Sequence, residues 1–146
     1  MSDDQDLVGL WDSTPFDYGV MESSQLGFLA DGTGWGVWSN FGGGMELTVL
    51  TWRCPHMGVL EIVRKELVSG LWEAGRPEQI VSTEPPRLLN TRSRFRYELV
   101  REHPPVGDEP ARALKLDQTL LFTTVYAFVR HTISEADVPT IVHRDA

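Results

Sequence analysis

Three residues near the start of the chain, Gly9-Leu10-Trp11, constrain the fold more than any other part of the sequence. On the first strand of a small antiparallel barrel, a glycine allows the strand to bend across one end of the barrel. The tryptophan that follows can then place its large apolar ring so that it closes that end. The motif therefore predicts a first strand whose indole is buried at the closed end of a β-barrel.

The remainder of the sequence is typical of an all-β protein. Short alternating runs are separated by glycine and proline turn signals, and no helical stretch is long enough to connect parallel strands. About eight strands in hairpin order predict an up-and-down antiparallel β-barrel. The length fits a single domain over residues 1–146 that ends in a short, loosely held polar tail.

The clearest hairpin signal is the Asp-Gly pair at 31–32. This pair is preferred in two-residue type I′ turns, and such a turn fixes the register of the strands on either side. Phe28 would then lie opposite Trp35 on one face, and Gly27 would lie opposite Gly36 on the other face. Facing glycines leave space for a bend, another backbone or a ligand.

The strand near residue 95 alternates between apolar and charged side chains. One face carries Phe95, Tyr97 and Leu99, and the other carries arginines at 92, 94 and 96. Because alternation of this kind is typical of a half-buried strand, we expect the first set to face inward. We interpret the arginines as the solvated face, with a ligand-binding role as the less favoured alternative.

Aromatic residues recur on one face of several strands and predict a lined interior. An eight-stranded barrel is only wide enough for its own side chains or one small ligand, so a filled core is the alternative. Tyrosines would provide polar groups in the cavity, and either of two arginines could anchor the ligand. The predicted ligand-binding residues are Phe28, Trp35, Arg64, Tyr97, Tyr126 and Arg130.

The sequence carries no cluster of catalytic or metal-binding residues. A metal or catalytic site needs two or three converging groups, whereas the four histidines are far apart: His56, His103, His131 and His143. The lone cysteine, Cys54, has no base beside it in the sequence. We therefore predict no catalytic residue, no metal and no cofactor, with a haem held by one histidine as a minority alternative.

Charge and composition narrow the classes of partner. The formal net charge is −8, and an acidic surface repels phosphate backbones and anionic lipid. We therefore expect neither nucleic acid nor a membrane as partner, and no apolar run approaches the roughly 20 residues that span a bilayer. A single cysteine and an acidic N-terminus without a signal-peptide pattern predict a cytoplasmic protein.

An N-terminal Gly-x-Trp strand followed by an up-and-down barrel resembles the calycins, the group of lipocalins and fatty-acid-binding proteins. The resemblance implies a barrel that holds a small apolar molecule. In that family an arginine from the last strand packs across the tryptophan, and Arg130 is the matching position for Trp11.

Three functions are compatible with these observations. The favoured one is a cytoplasmic protein that binds a small, largely apolar ligand inside the barrel. The alternatives are an enzyme that uses the same cavity, such as an isomerase, a cyclase or a haem-dependent catalyst, and an interaction domain without a ligand. The sequence also leaves a homodimer open. A cavity would favour the first two, and a filled interior would favour the third.

Overall fold

The computed structural model describes residues 4–73, 76–82, 84–107 and 109–143, and these form a structure made almost entirely of β-strands. Two 3₁₀ helices, Gln5–Leu7 and Glu135–Asp137, are each three residues long, and no helix in the described residues is long and apolar enough to cross a membrane. The strands are β1 (Gly9–Asp12), β2 (Glu22–Phe28), β3 (Thr33–Asn40), β4 (Gly44–His56), β5 (Val59–Glu73), β6 (Arg76–Ser82), β7 (Arg87–Glu102), β8 (Ala111–Leu120), β9 (Thr123–Arg130) and β10 (Thr140–His143).

Eight of the strands form a closed antiparallel barrel, which confirms the predicted fold class. Neighbouring strands pair in the order β1-β2-β3-β4-β5-β7-β8-β9, and β9 returns to pair with β1. Except for the step from β5 to β7, each strand pairs with the next one along the chain, as expected for a meander. The barrel is consistent with the calycin architecture.

Two strands lie outside the barrel in segments for which the sequence predicted no strand. The end of β5 continues past β7 and pairs with β6, a strand that lies in a segment rich in glycine and proline. β10 pairs in parallel with β6, from Thr140 opposite Gln79 to His143 opposite Ser82. The segment predicted as a loosely held tail is therefore tied to the sheet by backbone hydrogen bonds.

The sheet is buried on both faces around β3 and β4. The inner core fills the closed half of the barrel and includes Leu26, Phe28, Leu60, Phe95, Leu114 and Tyr126. A second, outer core lies on the opposite face and includes Leu10, Trp35, Val37, Leu47, Val68 and Ile80. Residues after β9 cover this outer core, among them Ile133, Val138 and Ile141. Burying both faces explains why apolar residues occupy both sides of these strands.

The first 3₁₀ helix and Trp11 close one end of the barrel. Trp11 has no exposed surface, and its Nε1 donates a hydrogen bond to the Leu7 carbonyl at 2.9 Å. Its ring meets Phe128 edge-on, with 5.2 Å between the ring centroids. The predicted burial of Trp11 is confirmed.

The predicted packing of Arg130 on Trp11 is wrong. The pairing of β1 with β9 is irregular between Leu10 and Trp11: Leu10 lies opposite Arg130, whereas Trp11 lies opposite Phe128. The extra residue turns Arg130 to the outer face, because a bulge reverses the alternation of side chains. Arg130 there forms an ion pair with Asp137.

A different arginine stacks at the closed end. The Arg112 guanidinium, from β8, lies 4.7 Å from the centroid of the Phe128 ring. Phe128 in turn contacts Trp11. Stacking of a cation on an aromatic face is favourable. At the closed end, the arginine stacks on Phe128 and not on the indole of Trp11.

The β2–β3 hairpin differs from the prediction by one residue. The loop has three residues, 30–32, and Leu29 exchanges hydrogen bonds with the chain across it, donating to Thr33 O at 2.9 Å and accepting from Gly32 N at 3.1 Å. Asp31 favours this loop because its carboxylate accepts hydrogen bonds from the Thr33 backbone and hydroxyl, which also lower its pKa. Gly32 has a φ of +88°, as expected for the residue that follows the turn.

The change of register moves Trp35 to the outer face of the sheet. Phe28 lies opposite Gly34, and Trp35 lies opposite Gly27, so Gly27 and Gly36 do not face each other. The space above Gly27 is filled, since a Cβ there would lie 2.5 Å from the indole of Trp35. A slip of one residue exchanges the two faces of a strand. The longer loop therefore explains why Trp35 faces outward and not toward the barrel interior.

We expect Gly32→Val to lower the free energy of unfolding by about 1 kcal/mol or more, because valine is strained at a positive φ. Urea denaturation would measure the loss. Ala30→Val, at an exposed position of the same loop, is the control and should cost less. Equal losses for the two variants would show that the backbone at Gly32 is not the cause.

Candidate functional site

The end of the barrel away from Trp11 is open and forms a cavity of about 360 Å³. It is lined by inward-facing residues at the far ends of β2, β3, β4, β5 and β7. The apolar and aromatic part of the lining consists of Trp38, Leu67, Leu89, Leu121 and Phe122. This volume is near the lower end of the range for small-molecule sites, so the cavity, here called the mouth, fits a small ligand.

Arg64 is the most unusual residue of the mouth. It lies on β5, opposite Leu50 on one side and Thr91 on the other, and continues the inward-facing series of Leu60 and Ile62. Its Nε is buried and has no hydrogen-bond partner among the described residues. A buried donor without an acceptor costs free energy, so an acceptor from a ligand would stabilise this side chain.

The mouth also contains two carboxylates and a second arginine. Glu22 accepts a hydrogen bond from Trp38 Nε1 at 3.1 Å, and Glu46 accepts one from the Ser69 hydroxyl at 3.4 Å. Arg87 lines the same space from the start of β7. The formal charges of Glu22, Glu46, Arg64 and Arg87 cancel. The lining is therefore more polar than expected for a site that takes a purely apolar ligand.

The turn between β8 and β9 partly covers the mouth. Leu121 has a φ of +67°, a conformation that is uncommon for leucine. Its side chain reaches the inner face of β3, since a Cβ added at Gly36 would lie 3.0 Å from Leu121 Cδ1. Together with Phe122, this leucine provides an apolar cover over the mouth.

Tyr126 forms the polar floor between the mouth and the inner core. Its hydroxyl donates to the Leu120 carbonyl at 2.5 Å and accepts from the Ser24 hydroxyl at 2.8 Å. Burial raises the pKa of Tyr126, so the phenol is neutral at physiological pH. The phenol proton is donated to the Leu120 carbonyl, so Tyr126 is not placed to transfer a proton to a ligand. Its role is to support the floor of the mouth.

Tyr97 lies at the closed end, away from the mouth. Its hydroxyl donates to the Asp4 carboxylate at 2.6 Å, and the Cys54 sulfur is 3.7 Å away. Burial, followed by the hydrogen bond to Asp4, raises the pKa of Tyr97. This tyrosine ties the chain before the first 3₁₀ helix to β7.

The six residues predicted to bind one ligand lie in different places. Arg64 lines the mouth, whereas Phe28, Tyr97 and Tyr126 belong to the inner core, with Tyr126 at its end beneath the mouth. Trp35 and Arg130 point to the outside, so they cannot contact a ligand within the barrel. Ligand binding by Arg64 stays a prediction. The six residues do not lie together around one cavity, so the prediction of a single site formed by all of them is corrected.

A second and larger cavity, of about 560 Å³, lies on the outer surface. It is formed by the connection between β1 and β2 and by the outer faces of β2 and β3, with Tyr18, Phe41 and Trp72 on its walls. Two of its three carboxylates, Asp12 and Asp17, accept hydrogen bonds from neighbouring side chains and backbone groups. Both acids are thus already used to hold the connection in place.

Comparison with known proteins gives no match to this chain, whether to a family model, a curated protein or a solved structure. Within the described part of the chain, no group of three or more His, Cys, Asp or Glu side chains is arranged to hold a metal ion. Any function must therefore be inferred from the residues and geometry of the described structure.

Proposed function

We propose that the protein binds a small molecule in the mouth of the barrel, with a hydrogen-bond acceptor of the ligand on Arg64. The observation that carries this proposal is the buried Nε of Arg64, which has no partner in the described structure, beside a cavity of about 360 Å³. The cytoplasm is the proposed compartment, supported by the single cysteine of the chain.

The lining of the mouth supports one class of ligand. Trp38, Leu121 and Phe122 offer apolar contact area, and burying a few hundred Å² at about 25 cal/mol per Å² gives several kcal/mol before the loss of entropy is subtracted. Arg64 adds orientation and selects a ligand with a carbonyl or an anionic group. Because Glu22 and Glu46 balance the positive charges of Arg64 and Arg87, the mouth favours a ligand with at most one negative charge.

The test is binding of a fluorescent naphthalene sulfonate, an apolar ring system that carries one anionic group. We expect Arg64→Met to weaken the affinity for this probe about tenfold, because a charge-assisted hydrogen bond is lost. The fold should survive, since methionine keeps the apolar stem and removes the unpartnered donor. Arg101→Met, at an exposed position on β7, is the control for net charge and should leave the affinity unchanged.

Two further variants distinguish the mouth from the outer cavity. Leu89→Trp should fill the mouth and abolish probe binding, whereas Phe41→Ala, on the wall of the outer cavity, should leave it intact. Circular dichroism would verify the fold of each variant. If Arg64→Met and Leu89→Trp both retain wild-type affinity in a native fold, the mouth is not the binding site. Native mass spectrometry of freshly purified protein would then identify any ligand that it retains.

A further inference from the structure

The outer face of the barrel carries three arginines around one buried carboxylate. Glu61, on β5, lies directly opposite Arg53 on β4 and Arg94 on β7. Arg92 lies one row further along β7. The Glu61 side chain is only 2 % exposed although it points away from the barrel interior, since the arginines cover it. We call these four residues the arginine cluster.

Each arginine approaches Glu61 through the inner edge of its guanidinium. Arg53 Nε lies 2.8 Å from Oε1, Arg94 Nε lies 2.9 Å from Oε2, and Arg92 Nε lies 3.9 Å from Oε1. The same side chains remain 59 %, 60 % and 68 % exposed, respectively. The outer N–H groups of the three guanidiniums are thus accessible to a ligand from solvent.

The cluster has an excess of positive charge on an acidic protein. Three guanidiniums and one carboxylate give a net charge of +2, while the chain as a whole carries −8. The hydrogen bond from Arg53, and then that from Arg94, lower the pKa of Glu61, so the carboxylate stays ionised at neutral pH. Next to the cluster, Arg96 and Asp117 contribute opposite charges.

We propose that the arginine cluster is a binding site for a phosphate monoester, separate from the mouth of the barrel. Guanidiniums present planar pairs of N–H donors that match phosphate oxygens. The monoester carries a charge close to −2 at neutral pH, equal and opposite to that of the cluster. Glu61 holds the guanidiniums in place before the ligand arrives, which reduces the entropy lost on binding.

The probe is phenyl phosphate, titrated into protein whose arginine Nε–H groups are followed by nuclear magnetic resonance. We expect the Nε–H signals of Arg53 and Arg94 to shift with saturation. Arg94→Gln and Arg92→Gln should each weaken binding about tenfold, because each removes charge-assisted hydrogen bonds. Arg101→Gln removes the same charge elsewhere on β7 and should leave binding unchanged.

Three other arms test the chemistry and the source of the phosphate. Arg94→Lys keeps the charge but lacks the planar pair of donors, so weaker binding than wild type is expected. Methanesulfonate, with one negative charge, should bind more weakly than phenyl phosphate. If a phosphoserine peptide binds more tightly than inorganic phosphate, the phosphate that the cluster recognises belongs to a protein partner. Equal affinities would assign that phosphate to a small molecule.

The proposal fails if phenyl phosphate gives no saturable shift, or if Arg101→Gln weakens binding as much as Arg94→Gln does. It also fails if Arg94→Lys binds as well as wild type, since attraction by net charge alone would then suffice. Thermal unfolding of each variant would show that the fold is retained. None of these readouts involves the mouth, so they are independent of the naphthalene sulfonate experiment.

Discussion

Trp11→Ala is expected to lower the free energy of unfolding by about 3–5 kcal/mol, the range for truncating a large buried aromatic side chain. The indole is fully buried, contacts Phe128 edge-on and donates a hydrogen bond to Leu7. Alanine would leave a cavity at the closed end and an unpaired carbonyl at Leu7. Urea denaturation followed by circular dichroism measures the loss.

Trp11→Phe is the matched control, because phenylalanine fills much of the same volume and can still meet Phe128. It should cost clearly less than alanine, and the difference between them reports the cavity. A loss below about 1 kcal/mol for Trp11→Ala would contradict the prediction, since surface substitutions have effects of that size. The closed end would then not depend on the indole.

Gly9→Val is expected to destabilise the protein by at least about 3 kcal/mol, because two unfavourable effects add. Gly9 has a φ of +141°, which side chains rarely adopt. A Cβ at this position would also lie 2.4 Å from the Arg130 carbonyl oxygen, so the backbones of β1 and β9 would have to separate. Thermal and urea denaturation would both show the loss.

Gly19→Val separates the two effects. Gly19 also has a positive φ, of +83°, but a Cβ there has no heavy atom within 4 Å. The variant should therefore lose only the stability that the strained backbone costs, about 1–2 kcal/mol of the free energy of unfolding. If both variants lost the same free energy, the close approach of β1 and β9 would contribute nothing measurable.

The barrel and its closed end could be predicted because they depend on alternation and on a strong local motif. Phe95 and Tyr97 are buried in the inner core as the alternating pattern indicated, while Arg94 faces outward. The inward position of Trp11 follows from the same kind of signal. These features need only the period of the side chains and the positions of glycine and proline.

The positions of Trp35 and Arg130 could not be predicted, because each depends on one residue of register. An Asp-Gly pair fits both two-residue and three-residue hairpin loops, and the longer loop is the one formed between β2 and β3. The shift of register between β1 and β9 near Trp11 likewise has no signal in the local sequence. Each single-residue change moves a side chain to the opposite face of the sheet.

The mouth was only partly predictable for a different reason. Arg64 could be named as an anchor from its charge, but both faces of β5 carry apolar residues, so the pattern does not tell which face is inside. The second apolar face is explained by the outer core, which β6 and residues after β9 complete. The conformation of Leu121, which covers the mouth, has no signature in the sequence.

Closure of the barrel depends on β1, a strand of only four residues that pairs with β2 on one side and β9 on the other. If residues 9–12 detached, β2 and β9 would each present a row of unpaired backbone N–H and C=O groups. Such open edges are templates for pairing with other chains. The first strand thus protects the protein against self-association, and loss of its contacts would favour aggregation before the other strands unfold.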